Sequence, residues 1–177
     1  AKYTLMGLIH WYDLTSDKAS LEASKRLVDW LISRFGPEKM SLGATGPFCG
    51  LMNCSVLEPV MWLYQRTGEK RYLDFAKWIV TELDVNKKGP ELIPLALKGV
   101  PVRDRHPDTH GHKAYEMMSC FEGVLEYYKV VGDPDHLLAV DLGLVHLFGM
   151  LAGQDDVEVA FLIDQQQIQP RAHVLLV

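Results

Sequence analysis

Cysteine is scarce. The 177-residue chain has three, Cys49, Cys54 and Cys120, and an odd count is a poor disulfide framework. Cys49 and Cys54 are available in principle as zinc ligands, against the plainer reading of buried, reduced thiols. Basic charge is also short: 18 Lys and Arg stand against 23 Asp and Glu, a formal net charge of −5. That balance argues against an electrostatic nucleic-acid binder. No apolar run approaches ~18 residues, so no membrane span is expected. The N-terminus lacks a basic stretch followed by an apolar one, and no signal peptide is expected. The string G-A-T-G-P from Gly43 to Pro47 lacks the lysine and following helix of a phosphate loop. No Ser-His-Asp arrangement rises above chance.

What the chain does have is apolar content, 48% of its residues. A single domain of this size buries about 70% of the surface its unfolded chain exposes. The apolar residues recur in a pattern. With Tyr12, Tyr64 and Tyr128 aligned, turn-forming residues coincide at Ser16, Gly68 and Gly132, and acids at Asp17, Glu69 and Asp133. Leucines coincide at Leu21, Leu73 and Leu137. Upstream, Leu5, Leu57 and Phe121 fall together. The spacings, 52 and 64 residues, are too long and uneven for tetratricopeptide or ankyrin arrays.

Each unit reads as a helical hairpin. Gly68 and Gly132 supply the left-handed residue that ends a helix. Asp133-Pro134 starts the next one, an acid at the N-cap and proline at the first helical position, and Asp17 caps in the same way. The two helices of a hairpin differ. Val56 to Tyr64 is apolar almost all round, as in a helix enclosed by protein. Its partner carries one stripe, Leu73, Ala76, Ile79, Val80 and Leu83, with Arg71, Asp74, Lys77 and Glu82 largely outside it. Inner and outer helices in alternation predict an all-α fold of the α/α toroid type, about three hairpins of it. Long links, about 36–54 and 85–111, precede the second and third inner helices. Glu91 to Lys98 reads as a short extra helix. Irregular links on one face of a rigid scaffold are where binding chemistry usually lies.

Candidate residues cluster at that face. Ser55-Val-Leu-Glu58 has the spacing of a capping box, although Pro59 fits it imperfectly. The competing reading has Glu58 hydrogen-bonding a sugar. His106, His110 and His112 crowd the entry to the third inner helix. Their spacing suits a metal, sugar hydrogen bonds or plain loop structure. Tyr115 and Glu116 open that helix, and a tyrosine offers a stacking face with a polar tip. Glu58, Glu116 and Glu122 are the inner-helix acids available for the paired carboxylates of glycoside hydrolysis. Glu122 and Glu126, four residues apart, also read as a solvated edge. Trp11, Trp30, Trp62 and Trp78 read as packing residues.

The strings SVLEPVMWLYQRTGEKRYLDFAKWIV and GHKAYEMMSCFEGVLEYYKVVGDPDHLLAV resemble glycoside hydrolase family 127, the β-L-arabinofuranosidase-like family, over roughly 3–140. The resemblance implies part of an (α/α)6 barrel acting on a terminal L-arabinofuranoside or related glycan. It also implies a zinc-bound cysteine nucleophile and a glutamate acid/base, expected downstream of the third hairpin. From about Phe148 the sequence departs from the family. We read 1–151 as the partial barrel and 152–177 as an atypical tail from a truncated or frame-shifted gene product. No catalytic residue, metal site or cofactor is therefore assigned within the chain. Little activity is expected of it alone. The candidate carbohydrate contacts are Glu58, His106, His110, His112, Tyr115 and Glu116. Partners are carbohydrate and, because an incomplete ring leaves inner-helix surface uncovered, a second copy. Two rivals remain: a helical scaffold binding a peptide on its concave side, and a toroid epimerase using His110 and His112 for proton transfer.

Overall fold

The computed structural model describes residues 1–46, 48–85, 88–100 and 114–151. Its helices are α1 (Lys2–Thr15), α2 (Lys18–Arg34), α3 (Leu51–Cys54), α4 (Leu57–Thr67), α5 (Lys70–Asp84), α6 (Leu92–Leu97), α7 (Ala114–Val131) and α8 (Pro134–Leu151), with a 3-10 turn at Phe48–Gly50. Among the described residues no strand forms, and one isolated bridge joins Phe35 to Met40. Three hairpins result: α1–α2, α4–α5 and α7–α8. The first helices of the hairpins pack side by side, α1 on α4 and α4 on α7. Within the second long link, α6 lies against α5 and α8.

The tyrosine register is a register of backbone conformation. Ser16, Gly68 and Gly132 donate their N–H groups to the carbonyls of Tyr12, Tyr64 and Tyr128 at 2.7, 2.7 and 2.8 Å. All three sit in the left-handed region, at φ of 58°, 66° and 78°. This is one helix-ending motif used three times. The restart differs among the units. Asp17 accepts from Ala19 and Ser20 N–H at 3.1 and 3.2 Å, and Asp133 from Asp135 N–H at 3.1 Å, whereas Glu69 makes no side-chain cap.

Packing follows the inner and outer distinction. On α4, Leu57, Val60, Met61 and Leu63 are fully enclosed. On α5 the buried stripe is Tyr72, Phe75, Ala76, Ile79, Val80 and Leu83, with Leu73 only partly covered. Between α4 and α7 the helices meet at Gly123. A Cβ there would lie 2.9 Å from both the Glu58 backbone nitrogen and Leu57 Cβ, so the contact admits only hydrogen.

Three expectations fail. No capping box forms: Ser55 Oγ donates to Met52 O at 2.8 Å, and the N-cap of α4 is Val56 without a side-chain bond. Pro59 is tolerated because N–H groups in a first helical turn have no intrahelical partner to lose. Glu82 does not lie outside the α5 stripe. It is buried, accepting from Gly43 N–H at 2.7 Å and from the Ser41 hydroxyl. A link that lies on the core needs its backbone N–H satisfied, and a carboxylate does so strongly. Trp11 and Trp30 are each 56% exposed, while Trp62 and Trp78 pack against the core. The reason at Trp11 is that the fully buried face of α1 runs along Lys2, Leu5 and Ile9, and Trp11 lies off it.

Two substitutions test these packing arguments by chemical denaturation. Ser16 holds a left-handed conformation that costs a non-glycine residue ~1 kcal/mol; Ser16→Gly should therefore stabilise by about 0.5–1 kcal/mol, and a loss of stability would contradict the shared-turn account. Gly123→Ala should destabilise by about 1–3 kcal/mol through overpacking, and a neutral result would show that α4 and α7 are not in tight contact.

Candidate functional site

The N-terminal ends of α1, α4 and α7 come together, and polar side chains from all three converge there. Lys2, from the first turn of α1, is buried, with its ammonium 2.9 Å from Glu58 Oε2 and 4.0 Å from Glu122 Oε2. Glu58 is buried in the first turn of α4. Its Oε2 accepts no aligned hydrogen bond, so the contact with Lys2 is ionic. The Glu122 side chain on α7 is 57% exposed. Its carboxyl is held above the usual range by partial burial and then by the Glu58 charge, with Lys2 opposing.

Glu116 is buried in the first turn of α7. Tyr115 precedes it and is exposed, its hydroxyl hydrogen-bonded to that of Tyr3 on α1. That bond, followed by smaller effects including the charges of Glu116 and Glu122, raises the Tyr3 phenol above its usual range. The result is an exposed pair of phenol rings beside one exposed and two buried carboxylates, with Lys2 the one buried cation among the described residues. Such a surface can stack a sugar ring and accept hydrogen bonds from its hydroxyls.

Of the sequence-predicted residues, Glu58, Tyr115 and Glu116 meet here; His106, His110 and His112 lie outside the described residues. Lys2 and Tyr3 are not among the residues the sequence singles out, and Glu122 reads there as an inner-helix acid or a solvated edge. Two signals were available. Lys2, Leu5 and Ile9 share one face at helical spacing, which places a lysine in a core stripe. The 64-residue register that aligns Leu57 with Phe121 also aligns Glu58 with Glu122. Glu126 is no solvated edge: it accepts from Gln65 Nε2 at 3.0 Å and pairs with Lys129 at 2.6 Å. Together with the Arg66–Asp13 pair, which holds the Asp13 carboxyl below its usual range, it ties the opposite ends of the inner helices.

The described residues do not fit a thiolate-bound zinc. Among them no three His, Cys, Asp or Glu side chains converge in a metal-binding group. Cys54 and Cys120 are buried thiols, the latter pushed up to about 12 by burial and bonded through Sγ to Leu51 O at 3.3 Å. A metal ligand or nucleophile needs the thiolate, which burial disfavours at both sulfurs.

Comparison with known proteins gives the family. The family model described as "Beta-L-arabinofuranosidase, GH127 catalytic domain" matches residues 1–142. A non-reducing end β-L-arabinofuranosidase from Bifidobacterium longum subsp. longum is 29% identical over 93 residues, which make up 52% of this chain and 13% of that protein. The chain thus matches only a small part of that relative's length. No solved structure matches the chain. On the strength of the match over 1–142, the chain belongs to the glycoside hydrolase family 127 catalytic-domain family.

Proposed function

We propose that the chain supplies one carbohydrate-binding wall of a glycosidase acting on a terminal L-arabinofuranoside or a related glycan. We further propose that it does not hydrolyse the bond by itself. The observation that carries this reading is the convergence of Lys2, Glu58, Glu116, Glu122 and the Tyr3–Tyr115 pair at one end of the inner helices.

The chemistry supports binding more than bond cleavage. Carboxylates accept hydrogen bonds from vicinal hydroxyls, and bonds to a charged partner contribute about 1.5–3 kcal/mol each. The exposed phenol rings offer apolar area to the faces of a furanose. Lys2 takes no part in proton transfer in this reading. It offsets the charge of Glu58 and Glu122 and holds their carboxylates in place. An acid/base pair at workable separation would be needed for glycoside cleavage, along with a competent nucleophile. Cys54 and Cys120 are buried thiols and fill neither role.

Saturation-transfer NMR with methyl β-L-arabinofuranoside tests the binding wall, and release of an aryl leaving group tests the chemistry. The expected outcome is weak binding, reduced about tenfold by Glu122→Gln or Tyr115→Ala, two exposed positions at which folding is spared, with no turnover. Binding that ignores both substitutions would remove the site from this face. Turnover abolished by a zinc chelator would overturn the proposed inactivity.

A further inference from the structure

The Lys2 ammonium stands between two carboxylates that hold it differently. Glu58 Oε2 lies 2.9 Å away and Glu122 Oε2 lies 4.0 Å away. Neither contact is an aligned hydrogen bond: Glu58 Oε2 accepts none, and the longer distance is beyond hydrogen-bonding reach. Among the described residues the ammonium therefore meets no acceptor in hydrogen-bonding geometry, although the Lys2 side chain is only 8% exposed. Its N–H donors are still to be used. The two sides differ in access as well. Glu58 Oε2 is sealed from solvent, whereas the Glu122 side chain is 57% exposed. A ligand reaches the ammonium from the Glu122 side.

From this geometry, and resting on the carbohydrate reading above, we propose that Lys2 and Glu122 together select one sugar hydroxyl, its oxygen lodged between Nζ and Oε2. An ammonium only donates hydrogen bonds, and an ionised carboxylate only accepts them. A group that joins the two must accept from Lys2 and donate to Glu122. A hydroxyl does both. An ether oxygen accepts but cannot donate, a protonated amine donates but cannot accept, and a second carboxylate meets Glu122 with like charge. A tetrahedral oxygen about 2.8 Å from each partner holds them about 4.6 Å apart. From the present 4.0 Å, Glu122 has to give by about half an ångström, which an exposed side chain does by a small rotation. The roles at this surface then divide. The phenol rings of Tyr3 and Tyr115 offer area to a furanose whatever its substituents. The Lys2–Glu122 pair discriminates: a ring lacking the hydroxyl, or carrying a methyl or a further sugar on its oxygen, cannot complete the bridge. The same contact thus favours a ring unsubstituted at that position.

NMR titration of the full chain with methyl β-L-arabinofuranoside, and with each of its monodeoxy analogues and mono-O-methyl ethers, tests the assignment. At one ring position or more, both the deoxy analogue and the ether should bind about tenfold or more weakly than the parent sugar. Glu122→Ala, at an exposed position that spares the helical circular dichroism, should weaken the parent and bring it within about twofold of that deoxy analogue. Deoxygenation tolerated at every position overturns the proposal. So does an ether that binds as tightly as the parent where deoxygenation costs affinity, or a deoxygenation penalty that survives Glu122→Ala. In those cases parent binding that still falls with Tyr115→Ala leaves the carbohydrate wall standing without this contact. A parent sugar that does not bind at all overturns both.

Discussion

The ion pair between Lys2 and Glu58 is the constraint on which the rest of the arrangement turns. Both side chains are buried, and each would cost several kcal/mol to desolvate alone. Together they pin the start of α1 to the start of α4, and Glu122 draws α7 to the same ammonium. The tight α4–α7 contact at Gly123 lies beside the Glu58 backbone nitrogen, so apolar packing and the ionic contact fix the same carboxylate. At the far ends, the Arg66–Asp13 and Gln65–Glu126 bonds keep the inner helices in step. Fixed at both ends, three helices present their N-terminal side chains as one surface.

This division of labour explains why a family of carbohydrate enzymes can be built from hairpins. The turn motif at Ser16, Gly68 and Gly132 sets where each first helix ends, and enclosure of its apolar surface sets where it lies. On the first helices of the hairpins, the buried charged side chains among the described residues, Lys2, Glu58 and Glu116, lie near the helix starts. There polar groups either satisfy one another, as Lys2 and Glu58 do, or face solvent, as Glu122 and Tyr115 do. The long links enter at that end. Glu82 secures the first of them by accepting from Ser41 and Gly43.

Much of the fold was legible in the sequence because it rests on local rules. Tyrosine-aligned turns, the acids after them and the contrast between a wholly apolar and a striped helix all depend on neighbours a few residues away. The short helix near 91–98 was legible for the same reason. Errors arose where tertiary contacts decided the outcome. Ser55 and Glu58 had capping-box spacing, yet a lysine on another helix claimed Glu58. Glu82 sat off the apolar stripe, yet a link needing an acceptor drew it inside. Trp11 had a core-compatible position on a helix, yet it lies off the face of α1 that the described residues bury. Of the residues that converge at the helix starts, Glu58, Glu116 and Tyr115 were legible from their place at the link face. Lys2 was missed because a lysine near the beginning of an apolar helix signals exposure until its packing partners are known.

The pair itself can be measured by a double-mutant cycle on folding stability, with Lys2→Met, Glu58→Gln and the combined variant. If the buried contact organises the inner helices, each single change should cost about 3–5 kcal/mol, because it strands the other charge. The combined change should then cost less than the two singles together by about 2 kcal/mol. Singles that each cost under ~1 kcal/mol and simply add would show that the two charges do not depend on each other, and the account of this surface would fail.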